Sequence, residues 1–271
     1  MDKQRIYFEK LMLKKGRKIL LSRKNNEIVK NRLYSGQIGI QYKSTASFIS
    51  TLLQYNLSEI KPFGDFFRNV KSNVSYGRTI DDPMTDYTAR FYYENPELHK
   101  RVVQQLRLWD TGISDVEIRP LTDAQGNNIY MSIFHNEIGH GDLLFSAQSN
   151  GTKFLYNRLR DFFITLDTGG VLIFDELDAH LHFNIVPMLL QYFTDLSFNR
   201  NHAQLIFSSH LVSLLNELRK YRTYLFKKIN DESICYRIDE LQGNNLRRND
   251  RPLEQLYKAG LLGGLPDVRS K

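Results

Sequence analysis

The chain has 271 residues, enough for one large domain or a domain with an insertion, and 41% hydrophobic residues suffice to fill a core. No stretch approaches the roughly 20 apolar residues that span a bilayer, and Met1-Asp-Lys-Gln-Arg-Ile6 lacks the apolar core of a signal peptide, so the expectation is a soluble cytoplasmic protein without a membrane partner. The formal charge of +7 is concentrated: between Met1 and Tyr34 eleven Lys and Arg residues stand against three acids.

That basic segment, from Lys3 to Arg32, is a candidate for tracking nucleic-acid phosphates, set against the plainer reading of a solvated face. Its apolar patches, Ile6-Tyr7-Phe8 and Lys18-Ile-Leu-Leu21, suggest strands or a hairpin with a basic outer face. The spacing of Phe48, Ile49, Leu52 and Leu53 predicts a helix over 44–56, with Ser44 or Ser47 as its cap. Residues 1–56 are read as the basic N-terminal part of a head domain.

Residues 57–115 are aromatic-rich (Phe63, Phe66, Phe67, Tyr76, Tyr87, Phe91, Tyr92, Tyr93) with breaks at Gly64, Gly77 and Pro83, and are read as a mostly helical insertion standing on a sheet. Pro96 opens a helix that carries Leu98, Val102 and Leu106, with Gly112 just beyond its end. Packing accounts for these aromatics more cheaply than stacking on bases.

Residues 116–271 hold the chemistry. Val116–Ile118 and Ile129–Phe134 flank Asp123-Ala-Gln-Gly-Asn-Asn128, a hairpin signal. A helix follows Ser149-Asn-Gly151, whose free N–H groups favour an anion, an ordinary N-cap being the alternative. Val171-Leu-Ile-Phe174, bounded by glycines and then by Asp175 and Glu176, reads as a buried parallel strand with two carboxylates at its tip. Ala203–Phe207 reads as the next strand in the same sheet, so that Ser208-Ser-His210 shares its crevice edge. Tyr221–Phe226 and Ser233–Ile238 suggest a hairpin around Asn230-Asp231, and Cys235 is expected to be a small buried residue in it.

Nucleotide hydrolysis needs a metal on the phosphate oxygens, a group that positions water, and donors for the γ-phosphate. Asp175 is the candidate metal ligand, Glu176 the residue that polarises water, and His210 a donor to the γ-phosphate or that water. Ser149 and the Gly151 amide are candidate donors to a phosphate.

The order of these elements resembles the ATPase heads of the ABC class, especially the bacterial abortive-infection and OLD-like defence ATPases, and more distantly the SMC heads. Ser149-Asn-Gly-Thr152 looks like their signature motif, Leu172-Ile-Phe-Asp-Glu-Leu-Asp178 like Walker B with its catalytic Glu and D-loop, and Ser208-Ser-His210 like the switch histidine. Arg251-Pro-Leu-Glu-Gln-Leu-Tyr-Lys-Ala-Gly-Leu-Leu-Gly-Gly-Leu-Pro266 resembles their terminal pattern. The resemblance implies an α/β, P-loop NTPase-like (ABC-type) sheet flanked by helices with a helical insertion. It also implies ATP and Mg²⁺ as cofactors, with Ser149, Gly151, Thr152 and Asp178 on the nucleotide, a dimer that sandwiches it, and an effector such as a nuclease in anti-phage defence.

Two departures stand out. The sequence contains no Gly-x4-Gly-Lys-Ser/Thr, the loop that cradles phosphates, so either a longer protein or a partner subunit is expected to supply it. The signature carries Gln148 and Asn150 where acids are frequent. Two further readings stay open: a regulatory or nucleic-acid-binding subunit that completes a composite site, and a metal-dependent nuclease built on Asp175, Glu176, Asp178, His180 and His182.

Overall fold

The computed structural model describes residues 6–12, 17–33, 40–75, 78–79, 85–109, 111–137, 141–229, 231–241 and 252–265. The first strands are β1 (Phe8–Met12), β2 (Ile19–Lys24) and β3 (Glu27–Asn31), followed by helices α1 (Phe48–Gln54) and α2 (Lys61–Arg68). Three short strands come next, β4 (Val70–Ser72), β5 (Val74–Ser75) and β6 (Arg78–Thr79), then helices α3 (Thr85–Glu94) and α4 (Pro96–Leu108). The hairpin β7 (Ile113–Thr122) and β8 (Asn128–Asn136) is extended by β9 (Leu143–Leu144). After it come α5 (Asn150–Thr168), β10 (Val171–Phe174), α6 (Ile185–Thr194), β11 (Gln204–Phe207), α7 (Leu214–Glu217), the hairpin β12 (Tyr224–Ile229) and β13 (Glu232–Arg237), and α8 (Leu253–Lys258).

The sheet that positions the site is parallel, in the order β11-β10-β4. Leu172, Phe174, Leu205 and Phe207 turn one face onto α5 and α6, and Phe174 meets Phe154 and Phe162 at ring distances of 5.6 and 5.8 Å. Leu172 and Phe174, fully buried, each contribute about 1.5–3 kcal/mol. The register partners Ile173 and Ile206 lie on the other face and are 37% and 57% exposed.

The start of β10 is gripped from both sides. Gly169 ends α5 in the left-handed region at φ +65°, and a Cβ there would stand 2.4 Å from the Asn201 carbonyl. A Cβ on Gly170 would stand 2.3 Å from the Asn69 carbonyl. Only glycine allows this approach, which explains the pair that bounds the strand in sequence.

Strand β4 lies within residues 57–115, where the sequence suggested helices, and Val70, Lys71 and Ser72 pair with Val171, Leu172 and Ile173. Helices α3 and α4 carry Tyr92, Val102 and Leu106 into the same core as α5 and β7–β8. The Tyr92 hydroxyl donates to the Tyr156 carbonyl at 2.6 Å, and the Tyr156 hydroxyl bonds Ser132 at 2.8 Å. Burial holds both phenols above the usual tyrosine range. Tyr92 therefore packs, whereas Phe66, Phe67, Tyr87 and Tyr93 are exposed. Tyr76, Gly77 and Pro83 lie outside the described residues.

The antiparallel sheet β1-β2-β3 covers α1 through a second core of Leu21, Phe48, Leu52 and Ile60. Ser47 holds the N-cap position of α1, but the cap comes from Glu9: its carboxylate accepts the Phe48 N–H at 2.8 Å and the Ser47 hydroxyl at 2.5 Å. Arg23 departs from the expected basic outer face. It is 0% exposed, donates to the carbonyls of Ala46 (2.7 Å) and Lys43 (3.0 Å), and lies 3.7 Å from Glu9. A guanidinium held this way ties the sheet to the following loop and has no reach to a phosphate.

Cys235, expected to be buried, is exposed on β13. Lys3, Arg5, Lys14, Lys15, Asn230, the polar run 244–248, Arg251 and Pro266 lie outside the described residues.

Candidate functional site

Three parallel strands end side by side, so the residues just beyond them, Asn73 after β4, Asp175 and Glu176 after β10, and Ser208 after β11, form one edge. In such sheets this edge is where ligands bind. Hydrogen bonds lock it. The Asn73 amide donates to the Asp175 carbonyl at 2.9 Å, and the Asp175 N–H donates to the Asn73 side-chain oxygen at 2.7 Å. The Ser208 hydroxyl accepts the Glu176 N–H at 2.8 Å and donates to the Asp175 carboxylate. One hydroxyl thus serves both acids, using its single donor and one lone pair.

Glu176 sits at φ +52°, in a region that costs a residue with a Cβ about 1–3 kcal/mol, and such strain collects at functional sites. The Ser208 N–H and carbonyl bond Phe174 and Leu177 at 3.0 Å each, which holds the strained turn against β11. Asp175 and Glu176 are exposed, and among the described residues neither they nor Asp178 forms an ion pair. The edge is an uncompensated negative patch of oxygen donors.

Asp178 has a structural bond: its carboxylate accepts the His210 N–H at 3.1 and 3.3 Å, tying the loop after β10 to the loop after β11 and leaving the His210 side chain exposed. The structure therefore brings Asp175, Glu176, Asp178 and His210 together through Ser208 and backbone.

The Ser149 hydroxyl accepts the Thr152 N–H at 3.1 Å as the N-cap of α5 and bonds the Thr152 hydroxyl at 3.0 Å, with Thr152 buried. Its cap role is real, and Thr152 presents no side chain to solvent. Gly151 lies against the loop after β10: a Cβ there would stand 2.9 Å from the His180 carbonyl, and His180 has φ +64°. The start of α5 and the loop after Asp175 therefore touch. His182 accepts the Asn184 N–H at 3.3 Å, and among the described residues no group of three His, Cys, Asp or Glu side chains converges as a metal site.

Asn73 is the site residue that the sequence does not announce. Its partner lies 102 residues away, and no local pattern signals it.

A family model described as "AAA domain, putative AbiEii toxin, Type IV TA system" matches residues 31–216. The chain belongs to this AAA-domain family. The AAA domain has the α/β, P-loop NTPase-like character of ABC-type ATPases, with sheets flanked by helices, and the match spans the strands that carry Asn73, Asp175 and Ser208. It is also similar to a solved structure described as "Structural biochemistry of ATP-driven dimerization and DNA stimulated activation of SMC ATPases", at 14% identity and a TM-score of 0.41, over 64% of this chain and 96% of that one. The comparison with curated proteins gives no match. Among the described residues no helix is long and apolar enough to cross a membrane.

Proposed function

We propose that this AAA domain supplies the metal-and-water side of an ATP-hydrolysing site whose phosphate cradle comes from another segment. The observation that carries the proposal is the tip of β10, where Asn73 and Ser208 hold Asp175 and Glu176, two exposed acids that form no ion pair among the described residues. A carboxylate and a hydroxyl are hard oxygen donors that suit Mg²⁺, so Asp175 would hold the cation with Ser208 beside it. Mg²⁺ held there would offset the negative charge of the phosphate.

Glu176 accepts a hydrogen bond from the attacking water and orients it. His210 donates to the γ-phosphate or to that water, and its backbone is held in place by Asp178. The first turn of the 19-residue helix α5 offers free N–H groups and a positive dipole end to a phosphate. In a head-to-head dimer, Ser149 and Gly151 would face the nucleotide of the second head.

On the analogy of the family description, which names a toxin of a type IV system, we extend the proposal to control of an associated effector, such as a nuclease, in anti-phage defence.

The test is ATP turnover by this chain mixed with a chain that bears the phosphate-cradling loop. Glu176→Gln is expected to lower turnover about 100-fold or more, the usual contribution of a general base, while ATP binding persists. Undiminished turnover in the variant would sink the proposal. Nucleotide binding with no turnover in either protein would leave a regulatory subunit.

A further inference from the structure

Helix α4 and strand β7 border a cleft of about 510 Å³ that shares no residue with the tip of β10. That volume falls within the roughly 300–1,000 Å³ of small-molecule sites. Its charges are the unusual feature. Lys100 and Arg107 line it from α4, two turns or about 10 Å apart along the helix, and Asp115 lines it from β7. All three are exposed, and among the described residues none of them forms an ion pair, so opposite charges share one cavity without meeting. A solvated helix face accounts for the two cations, but not for an acid left unpaired across a cavity from them. Val103 and Val116, both buried, add an apolar lining. His99 borders the cleft with a ring whose Nε2 is buried with no hydrogen-bond partner among the described residues. Buried polar atoms are nearly always partnered, so an orphan beside a cavity marks it as a place where a further group belongs.

We propose that this cleft binds a nucleoside monophosphate, with the phosphate between Lys100 and Arg107, the ribose hydroxyls on Asp115 and the base over the apolar lining. The ligand class follows from the charges. A guanidinium forks onto two phosphate oxygens and an ammonium adds a point charge, so two cations on one helix face suit a dianion. A carboxylate has acceptor sites for two vicinal hydroxyls at once, as a ribose offers them. A simple anion satisfies the cations but is repelled by Asp115, and a simple cation does the reverse. A molecule that carries both a phosphate and neutral donors answers all three groups, and a flat ring suits Val103, Val116 and the His99 ring. The proposal does not depend on the ATP reading, since no carboxylate from the tip of β10 and no phosphate-cradling loop takes part.

The experiment uses the full chain, with AMP, ribose and inorganic phosphate as separate probes, followed by titration calorimetry and by amide NMR shifts at Asp115 and Val116. AMP is expected to move both amides and to bind at least about tenfold more tightly than ribose or inorganic phosphate, since it alone meets the cations and the acid together. The double substitution Lys100→Gln with Arg107→Gln, at exposed positions of a helix that tolerates glutamine, is expected to keep the far-UV spectrum and melting temperature while weakening AMP at least about tenfold. Asp115→Ala is expected to weaken AMP and not inorganic phosphate.

AMP binding that survives the double substitution, or that leaves Asp115 and Val116 unmoved, would place the ligand elsewhere and overturn the proposal. Inorganic phosphate binding as tightly as AMP, with Asp115→Ala neutral toward both, would make the cleft a plain anion site and overturn the nucleotide assignment. No heat and no shift at millimolar AMP would show that the three charges are merely solvated, and the proposal would fall.

Discussion

Asn73 holds both backbone groups of Asp175, accepting its N–H at 2.7 Å and donating to its carbonyl at 2.9 Å. A side chain thereby continues the β4–β10 ladder one residue past the end of β4. Asn73→Ala leaves both groups without these partners in a largely buried position and is expected to cost about 1–3 kcal/mol. Urea unfolding at neutral pH measures this. An unchanged midpoint would mean that the two bonds are replaced by water at no cost.

Glu176 pays for its position with backbone strain, since a left-handed φ of +52° crowds its Cβ. Glu176→Gly is therefore expected to be more stable than Glu176→Ala by about 1 kcal/mol while lacking the same carboxylate. Equal thermal midpoints for the two variants would show that the turn relaxes when the acid is removed.

Gly151 and His180 define the contact between the start of α5 and the loop after Asp175. Gly151→Ala forces a methyl to 2.9 Å from the His180 carbonyl and is expected to destabilise by about 1–3 kcal/mol, as overpacking does. His180→Gly frees the left-handed turn at φ +64° and is expected to recover part of that loss in the double variant. Strict additivity in a double-mutant cycle would separate the two segments.

His99 sits between Tyr92 and Tyr156 at ring distances of 5.2 and 6.3 Å, and its Nε2 is buried with no hydrogen-bond partner among the described residues. Burial lowers its pKa, opposed by the Asp115 charge. Above the usual histidine pKa of about 6.5 it is neutral in both the folded and unfolded chain, and stability is full. As pH falls below that value the unfolded chain takes up the proton first, and stability is lost until the lower folded pKa is passed. Urea midpoints between pH 7.5 and pH 5 are expected to fall less for His99→Phe than for the parent. Equal acid sensitivity would remove His99 as a source.

Local signals carried much of the architecture. The apolar runs at Val171–Phe174 and Gln204–Phe207, the Asp123–Asn128 turn and Pro96 at the start of α4 each reflect chemistry confined to a few residues. Strand β4 was illegible because Val70-Lys-Ser72 is three residues long, carries polar side chains and gains its identity from β10, about a hundred positions later. Asn73 was hidden for the same reason, and Glu9 likewise, since its helix lies 39 residues on. Arg23 misled in the opposite sense: charge in a basic stretch reads as surface, and burial beside Glu9 and two carbonyls is a tertiary fact.

The paired glycines ahead of β10 act as a ruler's zero mark. Gly169 and Gly170 are wedged against Asn201 and Asn69, so the strand cannot slide along its neighbours. Counting starts there, and Val171–Phe174 spans about 13 Å before the acids appear. Any residue larger than glycine at either mark would displace the origin, and the carboxylates would arrive out of step with Asn73 and Ser208 even though every group at the tip was intact.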